Sequence, residues 1–171
     1  MDAFAPVVID YGTFDLTPRY EPEVRPAPSL QQIKALQDVL MALPQVDCPV
    51  QHFFSPGQYL RVCFIKAGAL VVGKMHRHQH PAILLSGTAV INTDRGMETI
   101  HGWHVWTSQP NAKRAVAAIT DCVFLTVHLN PDNLTDPDEL EALLIVPEAQ
   151  IDYETPQEAA FLSDAVQGAY A

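Results

Sequence analysis

The middle of the chain alternates between short apolar runs and turn-forming residues. From about residue 48 to 130, runs rich in strand formers such as 59–65, 83–85 and 122–129 are separated by turn signals. The turn at Asp94-Arg95-Gly96 predicts a hairpin between strands at 88–93 and 97–101. Many short strands with regular turns favour a mainly β fold, a sandwich or a barrel.

Helical patterns flank this β region. Ser29 and Gln32 have the spacing of a capping box, and Pro44 ends the apolar pattern that follows, so a helix is predicted within 29–44. Asp136, followed by proline at the first helical position, predicts a short helix to residue 144. A similar signal at 155–158 predicts a second one to about residue 165, with an extended segment at 145–153 between them.

The two ends of the chain differ in composition. Residues 1–28 contain five prolines among apolar and aromatic residues, which predicts an extended arm lying on its own domain or on a neighbour. Residues 115–171 contain eleven Asp and Glu and no Lys or Arg. Such a surface repels phosphates, so the C-terminal third is not expected to bind nucleic acid. It is either a solvated acidic tail or a docking surface for a basic partner.

Length and composition exclude several classes. A chain of 171 residues suits one domain with extensions, here divided as arm 1–28, helix 29–44, barrel 45–131 and acidic helical or extended tail 132–171. No apolar run is long enough to insert in a membrane, and the first residues do not resemble a secretory signal. The three widely spaced cysteines are expected to be reduced thiols in a reducing compartment.

Three of the seven histidines stand at alternate positions, His76, His78 and His80. In a β-strand, alternate side chains share a face, so the three imidazoles would project together. They could grip a divalent transition metal, relay protons or line a polar interior. On the late strand at 122–129, His128 shares a face with Thr126, and a jelly roll could bring it beside His76 and His80.

Residues 68–130 resemble the cupins, a superfamily of small jelly rolls built as a double-stranded β-helix. Gly73, His76, His78 and Gly87 match the first cupin motif, but its glutamate is missing and His80 occupies the corresponding region. Gly102 and Pro110 resemble parts of the second motif, whose histidine position falls near 113–114. The resemblance implies the fold, with a divalent metal at the histidines.

A closer resemblance is to short cupin-like proteins of tailed phages and prophages. The matching positions are Gly73, Lys74, His76, His80, Lys113, Arg114 and His128, preceded by Phe54, Gly57, Tyr59 and Arg61. Since that family is largely uncharacterised, the likeness implies a fold and a genomic setting more than an activity. It places the protein in the host cytoplasm during assembly and then in a virion.

The predicted site residues form two groups. His76, His78, His80 and His128 are the expected ligands of Zn²⁺, Ni²⁺, Fe²⁺ or Cu²⁺, with the alternative that they only line a polar interior. Lys113 and Arg114 follow a turn and could aim positive charge at an anionic ligand, or be a solvated turn. No residue is predicted to be catalytic.

Two kinds of function follow from these observations. The first is a structural or interaction protein, a phage virion or tail-assembly component whose arms contact neighbouring copies or other virion proteins. The second is a metal-dependent cupin enzyme, of dioxygenase or isomerase type, acting on a small acid. A small-ligand or sugar-binding module using the same barrel remains a variant of the second.

Overall fold

A computed structural model describes residues 25–154 of the chain. Its nine strands form two antiparallel sheets, one of five strands in the order β1-β2-β9-β4-β7 and one of four in the order β3-β8-β5-β6. The strands are β1 Val50–Ser55, β2 Gly57–Ile65, β3 Leu70–Val72, β4 His80–Ser86, β5 Thr88–Thr93, β6 Gly96–His101, β7 His104–Ser108, β8 Ala115–Ala118 and β9 Cys122–Asn130.

This strand order is that of a jelly roll. Strands distant in sequence become neighbours, so that β9 lies between β2 and β4, and β8 lies between β3 and β5. The predicted mainly β, jelly-roll fold is confirmed, as is the hairpin formed by β5 and β6. Only short connections, such as the one at Gly87, carry the chain from one sheet to the other.

The core fills the space between the sheets. From the five-stranded sheet, Ile65, Leu84 and Cys122 point inwards, and Ile91 and Val116 meet them from the four-stranded sheet. Alternation along each strand therefore fixes which other side chains face the interior. In β2 these include Tyr59 and Arg61, and in β9 they include His128.

Both helices of the described residues begin where the sequence predicts. The helix α1, Leu30–Met41, opens on a complete Ser29–Gln32 capping box, and α2, Pro137–Leu144, opens on the Asp136 side chain. Near the four-stranded sheet, α1 borders a cavity of about 470 Å³. By contrast, α2 packs Leu140 and Leu144 against Tyr59 of the five-stranded sheet.

Two local predictions are wrong. The segment 145–153 is not uniformly extended, because Glu148–Gln150 forms a 3-10 helix. The three histidines do not lie in one β-strand, since residues 73–79 lie between β3 and β4 and the chain bends at residues 77 and 78. The helix predicted at 155–165, and most of the arm at 1–28, lie outside the described residues. Within residues 25–154, no helix is long and apolar enough to cross a membrane.

Candidate metal centre

Three histidines from separate parts of the fold meet at one end of the barrel interior. His76 comes from the segment before β4, His80 begins β4, and His128 lies near the end of β9. One ring nitrogen from each lies within 4.8 Å of the others. The ring centroids are 4.5 Å apart for His76 and His80, 4.5 Å for His80 and His128, and 5.2 Å for His76 and His128.

Hydrogen bonds orient two of the rings. The Nδ1 of His80 lies 3.0 Å from the carbonyl oxygen of His78, to which its N–H donates, leaving Nε2 free. The Nε2 of His128 lies 2.9 Å from Thr126 Oγ1, so its Nδ1 is free. A histidine that binds a metal through one nitrogen is typically held through the other in this way.

His76 is fixed through its backbone rather than its ring. Its carbonyl oxygen accepts from the Asn111 N–H, the neighbouring Arg77 N–H donates to Leu144, and Val146 N–H donates to Met75. The end of α2 and the turn before β8 therefore clamp this segment from two sides. The bend at residues 77 and 78 then lets His76 and His80 meet, although they are four positions apart.

Burial keeps the three imidazoles neutral. It lowers the pKa of His76 to about 3 and of His128 to about 3, and positive charge on neighbouring histidines and on Arg61 acts in the same direction. The pKa of His80 is also lowered, first by burial. A neutral imidazole offers a nitrogen lone pair, which is the form that binds a metal.

His78 is not part of the cluster. The prediction that it shares a face with His76 and His80 assumed an extended strand, but the chain bends there and the His78 side chain is exposed. Its contribution is the carbonyl oxygen that orients His80. The centre therefore contains three of the four predicted histidines.

Lys113 and Arg114 are already engaged within the protein. The Lys113 side chain is 1% exposed, and its Nζ lies 3.1 Å from Glu148. Arg114 pairs with Asp94 at 2.7 Å and donates to the Asn92 carbonyl oxygen. Arg114 also lies 3.4 Å from Ser108, whose register partner is His80, so it borders the centre from the opposing sheet. An anion site at this pair stays a prediction.

Two residues on β2 belong to the site although neither was predicted as a ligand. Tyr59 is directly opposite His128 in register, and their rings stack with centroids 5.8 Å apart. Its hydroxyl lies 2.7 Å from His52 Nδ1. Arg61, two positions on, faces the same interior. The available signal was their alternation in the strand, which places both on one side of β2.

The three histidines fit a divalent transition metal. Nitrogens held about 2.1 Å from one ion in tetrahedral geometry are about 3.4 Å apart, so the cluster needs to contract by at most about 1.4 Å. Three neutral imidazoles without a carboxylate suit Zn²⁺, Cu²⁺, Ni²⁺ or Fe²⁺. The one buried acid among residues 25–154, Glu98, lies on the opposing sheet and pairs with Arg95.

Comparison with known proteins finds likeness in structure alone. No family model and no curated protein matches the sequence. Similar solved structures include an RmlC-like cupin from Shewanella frigidimarina, with 15% identity over 56% of this chain and 89% of that chain and a TM-score of 0.43. The Cupin_2 domain of an XRE family transcriptional regulator from Enterobacter cloacae has 14% identity over 49% and 97% and a TM-score of 0.42. A cupin protein from Bacteroides fragilis has 19% identity over 55% and 86% and a TM-score of 0.41.

Proposed function

We propose that this protein is a cupin-like metal-binding protein that holds one divalent transition metal ion through His76, His80 and His128. The observation that carries the proposal is the convergence of three neutral imidazoles, those of His80 and His128 buried and that of His76 half-buried, with ring nitrogens within 4.8 Å of one another. Isolated buried histidines are usually satisfied by hydrogen bonds alone, but three that present free nitrogens to one point form a ligand set.

The residues around the ligands hold them in place. Thr126 and the His78 carbonyl oxygen orient two rings, and Tyr59 stacks on His128. With three protein ligands, an ion keeps coordination positions for water or another molecule, where it would act as a Lewis acid. Since no carboxylate adjoins the histidines, we prefer a binding role to the dioxygenase or isomerase alternative.

The test compares metal binding by single histidine variants. Co²⁺ or Zn²⁺ binding is measured by calorimetry and by elemental analysis after metal-supplemented purification. We expect one ion per chain in the wild type, and a loss of affinity of at least about a hundredfold in His76→Ala, His80→Ala and His128→Ala, because each removes a ligand. The matched control is His78→Ala, from the same segment but with an exposed ring, which should bind as the wild type does. Wild-type protein that binds no metal would refute the proposal.

A second candidate function, assembly, is supported by the outer face of the five-stranded sheet. An antiparallel sheet that meets water on one side normally alternates apolar and polar residues, yet here twelve of the sixteen outward positions are apolar. Phe53, Val105 and Leu129 are 49%, 65% and 77% exposed. The outward positions of the five strands include no Asp, Glu, Lys or Arg; they are 51, 53 and 55 in β1, 58, 60, 62 and 64 in β2, 81, 83 and 85 in β4, 105 and 107 in β7, and 123, 125, 127 and 129 in β9.

We infer that a second copy of this chain covers that face. An uncharged, largely apolar sheet face is complementary to a second copy of itself, whereas an acidic chain of net charge −10 would repel its own copies at a charged surface. In a phage setting, such a dimer would be the unit that enters a virion or tail, with the terminal segments making further contacts.

The oligomeric state tests this second role. Light scattering after gel filtration should give a dimer for the wild type and a monomer for Val105→Glu and Leu129→Glu, since a buried unpaired charge is costly. Ile119→Glu is the control, because Ile119 is also exposed (55%) but follows β8 of the other sheet. A monomeric wild type would contradict the dimer. Absence of the protein from purified phage particles would contradict the virion role alone.

A further inference from the structure

The interior face of the five-stranded sheet is organised in rows of side chains that face each other across strands. A first row contains Tyr59 beside His128, and His80 beside Ser108. The next row deeper, here called the second row, consists of His52, Arg61, Thr126, Ala82 and Trp106 in consecutive register pairs. The second row therefore lies directly beneath the candidate ligands.

Arg61 places an uncompensated positive charge in this row. Its register partner is Thr126, the residue that bonds His128. Among residues 25–154, the other interior cation at the site, Arg114, pairs with Asp94, but no carboxylate pairs with Arg61. Its neighbour on the inner face of β2 is Cys63, whose thiol pKa is raised by burial and which is therefore neutral. Arg61 is half-buried, and a partly desolvated guanidinium without a counter-ion favours a ligand that supplies negative charge.

The same region holds hydrogen-bond donors that lack acceptors. The indole Nε1 of Trp106, at the far end of the second row, is buried and has no partner among the described residues. The Nε of Arg114, whose guanidinium borders Ser108 and His80, is buried and unpartnered in the same way. Between Thr126 and Trp106 the row contains only the small side chain of Ala82. Buried donors without acceptors are rare in folded proteins and indicate a site for an acceptor-rich ligand.

We propose that the three-histidine centre binds a small oxyanion, such as a carboxylate, which occupies an open position on the metal and is anchored by the guanidinium of Arg61. The inference rests on the proposed metal site and extends it to the class of ligand. The metal ion and the guanidinium of Arg61 are both positively charged, so a bound anion would balance the charge of the interior. The planar fork of arginine matches two oxygens of a carboxylate, and an oxyanion accepts hydrogen bonds without needing to donate any. Trp106, at the β7 end of the second row, would supply a further donor.

The experiment uses the cobalt-loaded full chain and oxalate as the probe. Binding is followed by the change in the cobalt visible absorption spectrum and by calorimetry, after the cobalt content of each variant has been measured. We expect oxalate to alter the wild-type spectrum and to bind at least about tenfold more weakly to Arg61→Gln with cobalt content unchanged. Arg61→Lys, which keeps the charge but not the fork, should fall between them. Lys66→Gln is the control, since it removes the same charge from an exposed position just after β2.

The outcomes separate this inference from the metal proposal. The oxyanion site is overturned if saturating oxalate does not change the spectrum of cobalt-loaded protein. It is also overturned if oxalate binds the wild type and Arg61→Gln with equal affinity. Either result leaves the proposed metal site unaffected. Failure of the wild type to take up cobalt overturns both. If Arg61→Gln does not fold, Trp106→Phe keeps the test decisive, because it removes one donor while keeping the ring. Trp106→Phe should lower the affinity for oxalate severalfold, and an unchanged affinity would contradict a ligand site at the second row. Inorganic phosphate, tested in parallel, distinguishes a preference for carboxylate from a general oxyanion site.

Discussion

The two sheets of the barrel differ in the side chains that they direct into the interior. The four-stranded sheet turns small and branched apolar residues such as Ala89, Ile91, Val116 and Ala118 into the core, and α1 lies near its other face. In the five-stranded sheet, histidine, arginine, threonine and tryptophan side chains point into one half of the same interior. The outer face of this sheet is largely apolar and exposed. The difference teaches that both sheets supply core residues, but the strand residues of the candidate metal centre come from the five-stranded sheet. Substitutions inside the four-stranded sheet should therefore affect stability without affecting the centre.

The connection between the sheets is the most sensitive point. Gly87 has a φ of +97°, and a Cβ there would lie 2.3 Å from the Asp121 carbonyl oxygen. Gly87→Ala combines backbone strain with a clash against backbone, and we expect a loss of about 5 kcal/mol or no folded protein. Gly68→Ala is the matched control, with a φ of +81° and no atom within 4 Å of the added Cβ. It should cost only about 1 kcal/mol in urea unfolding. Equal losses would show that strain alone matters.

A core substitution in the four-stranded sheet should reduce stability without affecting the metal. Ile91 is 2% exposed, and Ile91→Ala creates a cavity expected to cost about 3 kcal/mol of unfolding free energy. Metal affinity measured on the folded variant should remain that of the wild type, since Ile91 is a core residue of the other sheet. A loss of metal binding at full folding would break the division between the sheets.

The histidine centre should make the metal-free protein sensitive to acid. The pKa of His76 and of His128 is lowered to about 3 in the folded state, whereas an unfolded histidine titrates near 6.5. The unfolded state therefore binds more protons below pH 6.5, and stability falls as the pH decreases towards 3, by about 1.4 kcal/mol per pH unit for each histidine. Urea unfolding between about pH 7 and pH 5 measures the slope. His76→Gln should flatten it and His78→Ala should not. A pH-independent stability in this window would contradict the burial of neutral imidazoles.

The smallest effect on stability is expected at Thr126. Thr126→Val keeps the shape of the side chain and removes the hydroxyl that lies 2.9 Å from His128 Nε2. We expect metal affinity to fall by about tenfold, because the ring loses its orientation, while the free energy of unfolding changes by less than about 1 kcal/mol. Calorimetry with Zn²⁺ and urea unfolding measure the two quantities on the same preparation. If the free energy of unfolding changed more than the free energy of metal binding, the role of Thr126 would be structural.

Local sequence signals predicted the elements well because they act over a few residues. The Ser29–Gln32 capping box, the Asp136 cap and the hairpin turn at residues 94–96 each satisfy backbone groups or turn geometry on their own. The histidine segment shows the limit of such reasoning. Alternation predicted three histidines on one face, but the contacts of Met75, His76 and Arg77 with Leu144, Val146 and Asn111 bend the segment, so only two enter the interior.

The sequence by itself determined the class of fold, the two helix starts and the residue types of the candidate metal site, because these depend on period, composition and short spacing. Only the tertiary structure decided which imidazoles meet, because β9 brings His128 from 48 positions away to His80 through register with β2 and β4. It also decided which cation faces the site. Lys113 and Arg114 were the cations predicted from the sequence, but both form ion pairs with carboxylates of neighbouring segments. Arg61 lies on β2 between β1 and β9, and neither of these two strands contains an acidic residue. Partners across a sheet are set by topology, which no local pattern encodes.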